Sequence, residues 1–124
     1  MKIGFIGLGK LGLDCAEVMA EKYTVHGYDI YPRTSELVKV CETAKEMVDN
    51  SDWIFIAVQT PHAEGYDGSV PSSHMEPRDF GHDAVKDAIN MVNEILSDHP
   101  LLRTLPAWEE YKKHHLGICP QKML

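Results

Sequence analysis

Three glycines, Gly7, Gly9 and Gly12, stand in the order G-x-G-x-x-G within Gly7-Leu8-Gly9-Lys10-Leu11-Gly12. A residue without a Cβ can turn tightly and let its backbone approach a bulky anion. Such a loop between a strand and a helix suits a pyrophosphate. Gly7 would make the tight turn, Gly9 would admit the phosphates, and Gly12 would let the helix pack close to the sheet. With Leu8, Lys10 and Leu11 between them, these residues form the candidate phosphate loop, and the helix that follows adds unpaired N–H groups and a positive dipole end. Asp29 follows Gly12 close to the spacing of about 20 residues expected of an acid that binds ribose hydroxyls. Its charge would repel a 2′-phosphate, which favours NAD over NADP, whereas Arg33 nearby could accommodate that phosphate. Val58 and Thr60 close an apolar run and would face the same crevice, since ligands of such sheets bind outside the carboxyl ends of strands.

The other reactive side chains make weaker sets. Gly117-Ile118-Cys119-Pro120-Gln121-Lys122 places a cysteine near lysines, a setting that can favour a thiolate. His114 and His115 are adjacent, so they point in different directions on a helix and leave a metal short of ligands. Cys15 and Cys41 read as small core residues. No catalytic residue and no metal ligand is assigned.

The elements around the loop alternate. Ile3–Ile6 reads as a buried strand, and Leu11, Cys15, Val18 and Met19 recur at helical spacing up to Lys22. Tyr23–Tyr28 reads as a second strand and Leu37–Val40 as a short third. Thr43 and Glu46 have capping-box spacing and open a helix through Asp49. Trp53–Val58 is the most apolar run and reads as a fourth strand. Continuous apolar strands separated by helices indicate a parallel sheet covered on both faces. The fold class is therefore α/β, a Rossmann-type doubly wound sheet of about four strands ordered 3-2-1-4, incomplete against the full fold. Gln59–Pro77 lacks periodicity, as binding loops and lids do. Asp79 opens a helix carrying Val85, Ala88, Ile89, Val92, Ile95 and Leu96 on one face. Residues 1–96 are read as the NAD-binding domain and 97–124 as a divergent, partly helical tail, with a short polar helix over Ala107–His115.

Composition sets limits. The chain has 124 residues, 44% hydrophobic, with 12 Lys+Arg against 19 Asp+Glu and a formal charge of −7. That balance speaks against a broad nucleic-acid surface. No run reaches the roughly 20 apolar residues of a membrane span, and no signal-peptide pattern opens the chain. Three scattered cysteines argue against a disulfide framework and for the cytoplasm.

Two stretches carry a family resemblance. Lys2-Ile3-Gly4-Phe5-Ile6-Gly7-Leu8-Gly9-Lys10-Leu11-Gly12-Leu13 resembles the opening of the UDP-glucose/GDP-mannose 6-dehydrogenases. Ser51–Pro61 with Asp67-Gly68-Ser69 resembles that family's fourth strand, T-P turn and D-G-S loop. β-Hydroxyacid dehydrogenases open similarly, and the T-P turn with the D-G-S loop tips the choice. The resemblance implies NAD-dependent oxidation of a sugar C6 alcohol through a cysteine thioester, with Gly7, Gly9 and Gly12 on the pyrophosphate, Asp29 and Arg33 on the adenosine ribose, and Thr60 near the crevice. Gln59 departs from the family's usual proline or small residue, and the segment between the second and third strands is short. Ser97–Leu124 carries neither the family's fifth strand nor its S-T-V-x-P-G-T turn. The readings left open are a cofactor half that is not catalytic alone, served by a separate substrate-domain chain or a second copy; a stand-alone NAD-binding module; a β-hydroxyacid dehydrogenase-like cofactor domain; and a remnant with an exposed sheet edge.

Overall fold

In the computed structural model, which describes residues 1–98, four strands line up parallel in one sheet. They are β1 (Lys2–Ile6), β2 (Thr24–Tyr28), β3 (Lys39–Val40) and β4 (Trp53–Ile56), in the order β3-β2-β1-β4. The helices are α1 (Lys10–Ala20), α2 (Ala44–Asp49) and α3 (Asp83–Ser97). Met1–Val92 forms one compact unit. The expected Rossmann-like sheet and its strand order are thus observed. Among the described residues no helix is long and apolar enough to cross a membrane. The tail readings, including the Ala107–His115 helix, His114, His115 and Cys119, lie outside the described residues.

Apolar side chains on β1 and β2 meet α1 to make the core: Ile3, Phe5, Leu8, Ala16, Val25 and Val38 are all nearly inaccessible. The buried side of α1 is not the expected one. Gly12 and Ala16 face inward, with Leu13, Met19 and Ala20 partly buried, while Leu11, Cys15 and Val18 face solvent. The reason is steric: the smallest residues allow the closest approach to the sheet, so Gly12 sets the helix rotation and turns the larger Leu11 stripe outward. Cys15 is therefore exposed and only Cys41 is a buried cysteine.

Three further differences have local causes. β3 is two residues rather than four, because the Leu37 and Val38 N–H groups both donate to Ser35 Oγ instead of to the ladder. The last helix begins at Asp83 and not at Asp79. Before it, Gly81 N–H donates to the Pro61 carbonyl at 2.7 Å, which ties this stretch to the loop, and the first helical bond runs from Lys86 N–H to the His82 carbonyl. The sheet is not covered on both faces at β4, where Trp53, Phe55 and Ile56 are 65%, 42% and 38% exposed. Among the described residues β4 is an edge strand that pairs only with β1, so none of them shields its outer side. By contrast, Thr43 caps α2 by accepting from Glu46 N–H, while the Glu46 carboxylate reaches back to Glu42 N–H, a capping box shifted by one residue.

His26, on β2 between Gly4 of β1 and Lys39 of β3, has a buried Nδ1 without a hydrogen-bond partner. Neutral imidazole can leave a lone pair there, but protonated imidazole must present a second N–H. Burial first, then the Lys39 and Lys2 charges, hold its pKa below the usual 6.5, with Glu46 opposing. The unfolded chain thus takes up the proton first, and stability falls as pH drops below about 6.5. Urea denaturation at pH 7.5 and 5.5 should show this loss, and His26→Gln should remove it in that window.

Candidate functional site

β1 enters α1 through the glycine turn, and each glycine there meets a different constraint. Gly7 has φ +93°, and a Cβ on it would lie 2.4 Å from the Ala57 carbonyl oxygen. Its N–H donates to the Tyr28 carbonyl at 2.9 Å, extending the β1–β2 pairing into the turn. A Cβ on Gly12 would lie 2.2 Å from the Gly7 carbonyl oxygen and 3.1 Å from Ala57 Cβ. Around Gly9 there is nothing within 4 Å of a built Cβ, so its side lies open. Gly9 is the N-cap of α1, where no side chain caps the helix and no acid sits in the first turn. The first-turn N–H groups are therefore unpaired within the helix, and the positive dipole end is not neutralised. An anion can settle there.

Asp29 stands just past β2 and turns its carboxylate toward this loop. Leu8 N–H donates to Oδ2 at 2.7 Å, Tyr31 N–H donates to Oδ1 at 2.8 Å, and Arg33 Nε lies 3.5 Å from Oδ2. The side chain is only 8% exposed against 37% for Arg33. Asp29 is thus a clip that joins the glycine turn to the end of β2. A carboxylate has about four acceptor positions, so capacity remains for a hydroxyl.

A cavity of about 320 Å³ opens beside these residues, within the range of small-molecule sites. Of the expected residues, Gly7, Gly9, Asp29, Arg33 and Val58 line it; Leu8, Lys10, Leu11, Gly12 and Thr60 do not. Leu8 is 1% exposed, with its side chain in the core and its N–H on Asp29. Gly12 is buried beneath the turn, Leu11 is 78% exposed, and Lys10 and Thr60 are exposed outside the cavity. Residues not expected there also line it: Ile30 and Tyr31 after Asp29, Gln59 after Val58, and Ala84, Asp87, Ala88 and Met91 of α3. The α3 set recurs at helical spacing, but no signal in the sequence marks that face of the helix as meeting a cavity.

The long loop is built locally. Asp67 Oδ1 accepts from Ser69 N–H at 2.9 Å, and Gly68 takes φ +80°. The Ser69 side-chain and backbone hydrogen bonds hold the Asp67 carboxyl below its usual range. Tyr66 Oη donates to the Glu76 carbonyl across the loop. Neither Cys15 nor Cys41 lines the cavity, and no group of three potential metal ligands occurs among the described residues.

A parallel sheet with a glycine turn at an open helix N-terminus and an acid past the second strand defines a dinucleotide-binding domain of the dehydrogenase type. Residues 2–66 match the NAD binding domain of 6-phosphogluconate dehydrogenase, and the chain belongs to that family; its cofactor is NAD. Among solved structures it is similar to a UDP-glucose dehydrogenase from the hyperthermophilic archaeon Pyrobaculum islandicum, with 25% identity and TM-score 0.57 over 77% of this chain and 25% of that one. A D-isomer specific 2-hydroxyacid dehydrogenase family protein from Klebsiella pneumoniae 342 also matches, with 20% identity and TM-score 0.45 over 52% of this chain and 21% of that one. The chain thus spans about a quarter or less of these proteins' length. No curated protein matches the sequence.

The glycines should separate under mutation. Gly12→Ala should destabilise by about 1–3 kcal/mol through overpacking, since backbone blocks the added methyl. Gly9→Ala should leave the thermal midpoint within a degree or two and still weaken NAD binding. Differential scanning calorimetry with and without NAD reads both.

Proposed function

We propose that the loop Gly7–Gly12 holds the NAD pyrophosphate on the N-terminus of α1, that Asp29 and Arg33 face the adenosine ribose, and that Val58 and Thr60 flank the crevice. The observation that carries this reading is the open side of Gly9, where an uncapped helix N-terminus meets a cavity that also contains Asp29. NAD supplies a hydride acceptor when bound. The chain's own part is to bind, orient and partly desolvate it. Asp29 would accept from the ribose hydroxyls and disfavour a 2′-phosphate, while Arg33, drawn toward Asp29, is less free to receive that phosphate.

On this reading residues 1–96 are the cofactor half of a nucleotide-sugar 6-dehydrogenase in the cytoplasm, serving polysaccharide biosynthesis. The likeness to a UDP-glucose dehydrogenase over 77% of the chain supports it, as do the Thr60-Pro61 turn and the Asp67-Gly68-Ser69 loop. A second reading, a β-hydroxyacid dehydrogenase-like cofactor domain, is favoured by the family match, because 6-phosphogluconate is itself a β-hydroxy acid. Either way the substrate wall would lie outside residues 1–96, and a separate substrate-domain chain or a second copy could supply it. Holding substrate against the nicotinamide contributes roughly 7–11 kcal/mol in such reactions, and no cysteine lines the described cavity. The chain alone should therefore bind without turning over.

Calorimetric titration should show NAD bound more tightly than NADP, with Gly9→Val abolishing binding of both. Asp29→Ala should narrow the NAD preference and, by removing the acceptor of two backbone N–H groups, cost about 2 kcal/mol or more of stability. NADH formation from UDP-glucose, GDP-mannose or 6-phosphogluconate should stay at background. Turnover that Cys119→Ser abolishes would make Cys119 the nucleophile and refute the reading of a non-catalytic half.

A further inference from the structure

We infer that Asp87 reads the exocyclic amine of the cofactor's adenine and makes the site selective for an aminopurine dinucleotide. The inference rests on the cavity being the adenosine end of the NAD site. With the pyrophosphate at Gly9 and the ribose at Asp29, the base must occupy the remainder of the cavity, and that remainder is walled by α3. Ala84 and Ala88, one turn apart on α3, keep this wall low, and Ile30 and Met91 add apolar surface. Such a slot accepts a flat ring.

One acid stands in that wall. Asp87 lines the cavity, and its carboxylate has no hydrogen-bond or ion-pair partner among the described residues. It is exposed and sits mid-helix, so neither folding nor capping accounts for it. A carboxylate only accepts hydrogen bonds. Facing the 6-substituent of the base rather than its N1 edge, it accepts from the amine of an adenine and opposes the carbonyl oxygen of a hypoxanthine. Gln59, beside Val58 in the lining, can donate or accept and so does not discriminate between the two. Arg33 is the cation of the lining but is drawn to Asp29 at 3.5 Å, which leaves Asp87 free for the ligand.

The test is calorimetric titration of the full chain with NAD and with nicotinamide hypoxanthine dinucleotide, in which a carbonyl replaces the adenine amine. The unmodified chain should bind the analogue at least tenfold more weakly, a difference of about 1.4 kcal/mol. Asp87→Asn, whose amide both donates and accepts, should bring the two within about threefold. Asp87→Ala should weaken NAD binding while also losing the discrimination. Both variants change an exposed, unpartnered residue, and circular dichroism should show the fold intact. Equal binding of the two ligands by the unmodified chain would overturn the inference. So would a tenfold ratio that persists in Asp87→Asn, or a gain of NADP binding with that ratio unchanged, which would put Asp87 at the ribose. Absence of NAD binding by the unmodified chain would instead bring down the cofactor site itself, a result separable from all of these.

Discussion

The close contact between Gly12 and the Gly7 carbonyl oxygen governs most of what surrounds it. A helix that leaves a parallel strand through so short a turn must pass over the backbone it has just left, and only a hydrogen fits at the crossing, since a Cβ would come within 2.2 Å of that oxygen. The crossing aims the N-terminus of α1 at the mouth of the sheet. It also rotates the helix so that Gly12 and Ala16 face inward, which leaves Leu11 and Val18 in water. The same approach brings Ala57, just beyond β4, against both glycines. Glycine turn, helix face and the neighbouring strand end are thus one packing solution.

Asp29 holds the other side of this solution. A buried carboxylate is costly unless it is hydrogen-bonded, and here it is satisfied by the N–H groups of Leu8 and Tyr31 together with Arg33. One side chain therefore fixes the spacing between the glycine turn and the end of β2. The same acid is proposed to meet the ribose, so architecture and recognition share a group and cannot be varied independently at that position.

The strand order and the tight packing at Gly7 and Gly12 were legible in the residues because each follows from a local requirement: apolar runs and missing Cβ atoms. What escaped was set by tertiary competition. Leu11, Cys15 and Val18 have the spacing of a buried stripe, yet smaller neighbours displaced them. Leu37 and Val38 have strand character, but the Ser35 hydroxyl captured their N–H groups. The Trp53–Ile56 run reads as a strand covered on both faces, yet Trp53, Phe55 and Ile56 remain exposed among the described residues, which no local pattern reveals. In the candidate site, Val58 and Gly9 could be named from the sequence, whereas Asp87 could not, because its helix reaches the cavity only through the chain's return from Pro61 to Gly81.

That return has a consequence for how the molecule can change. The Gly81 N–H bond to the Pro61 carbonyl pins both ends of the intervening loop at one point, so its length is decoupled from the positions of β4 and α3. The entropy of closing a loop grows only logarithmically with length, about 0.6 kcal/mol for each doubling. Insertions or deletions between these two residues would leave the nucleotide half in register. The neck thus separates a rigid, shared cofactor platform from a segment free to diversify.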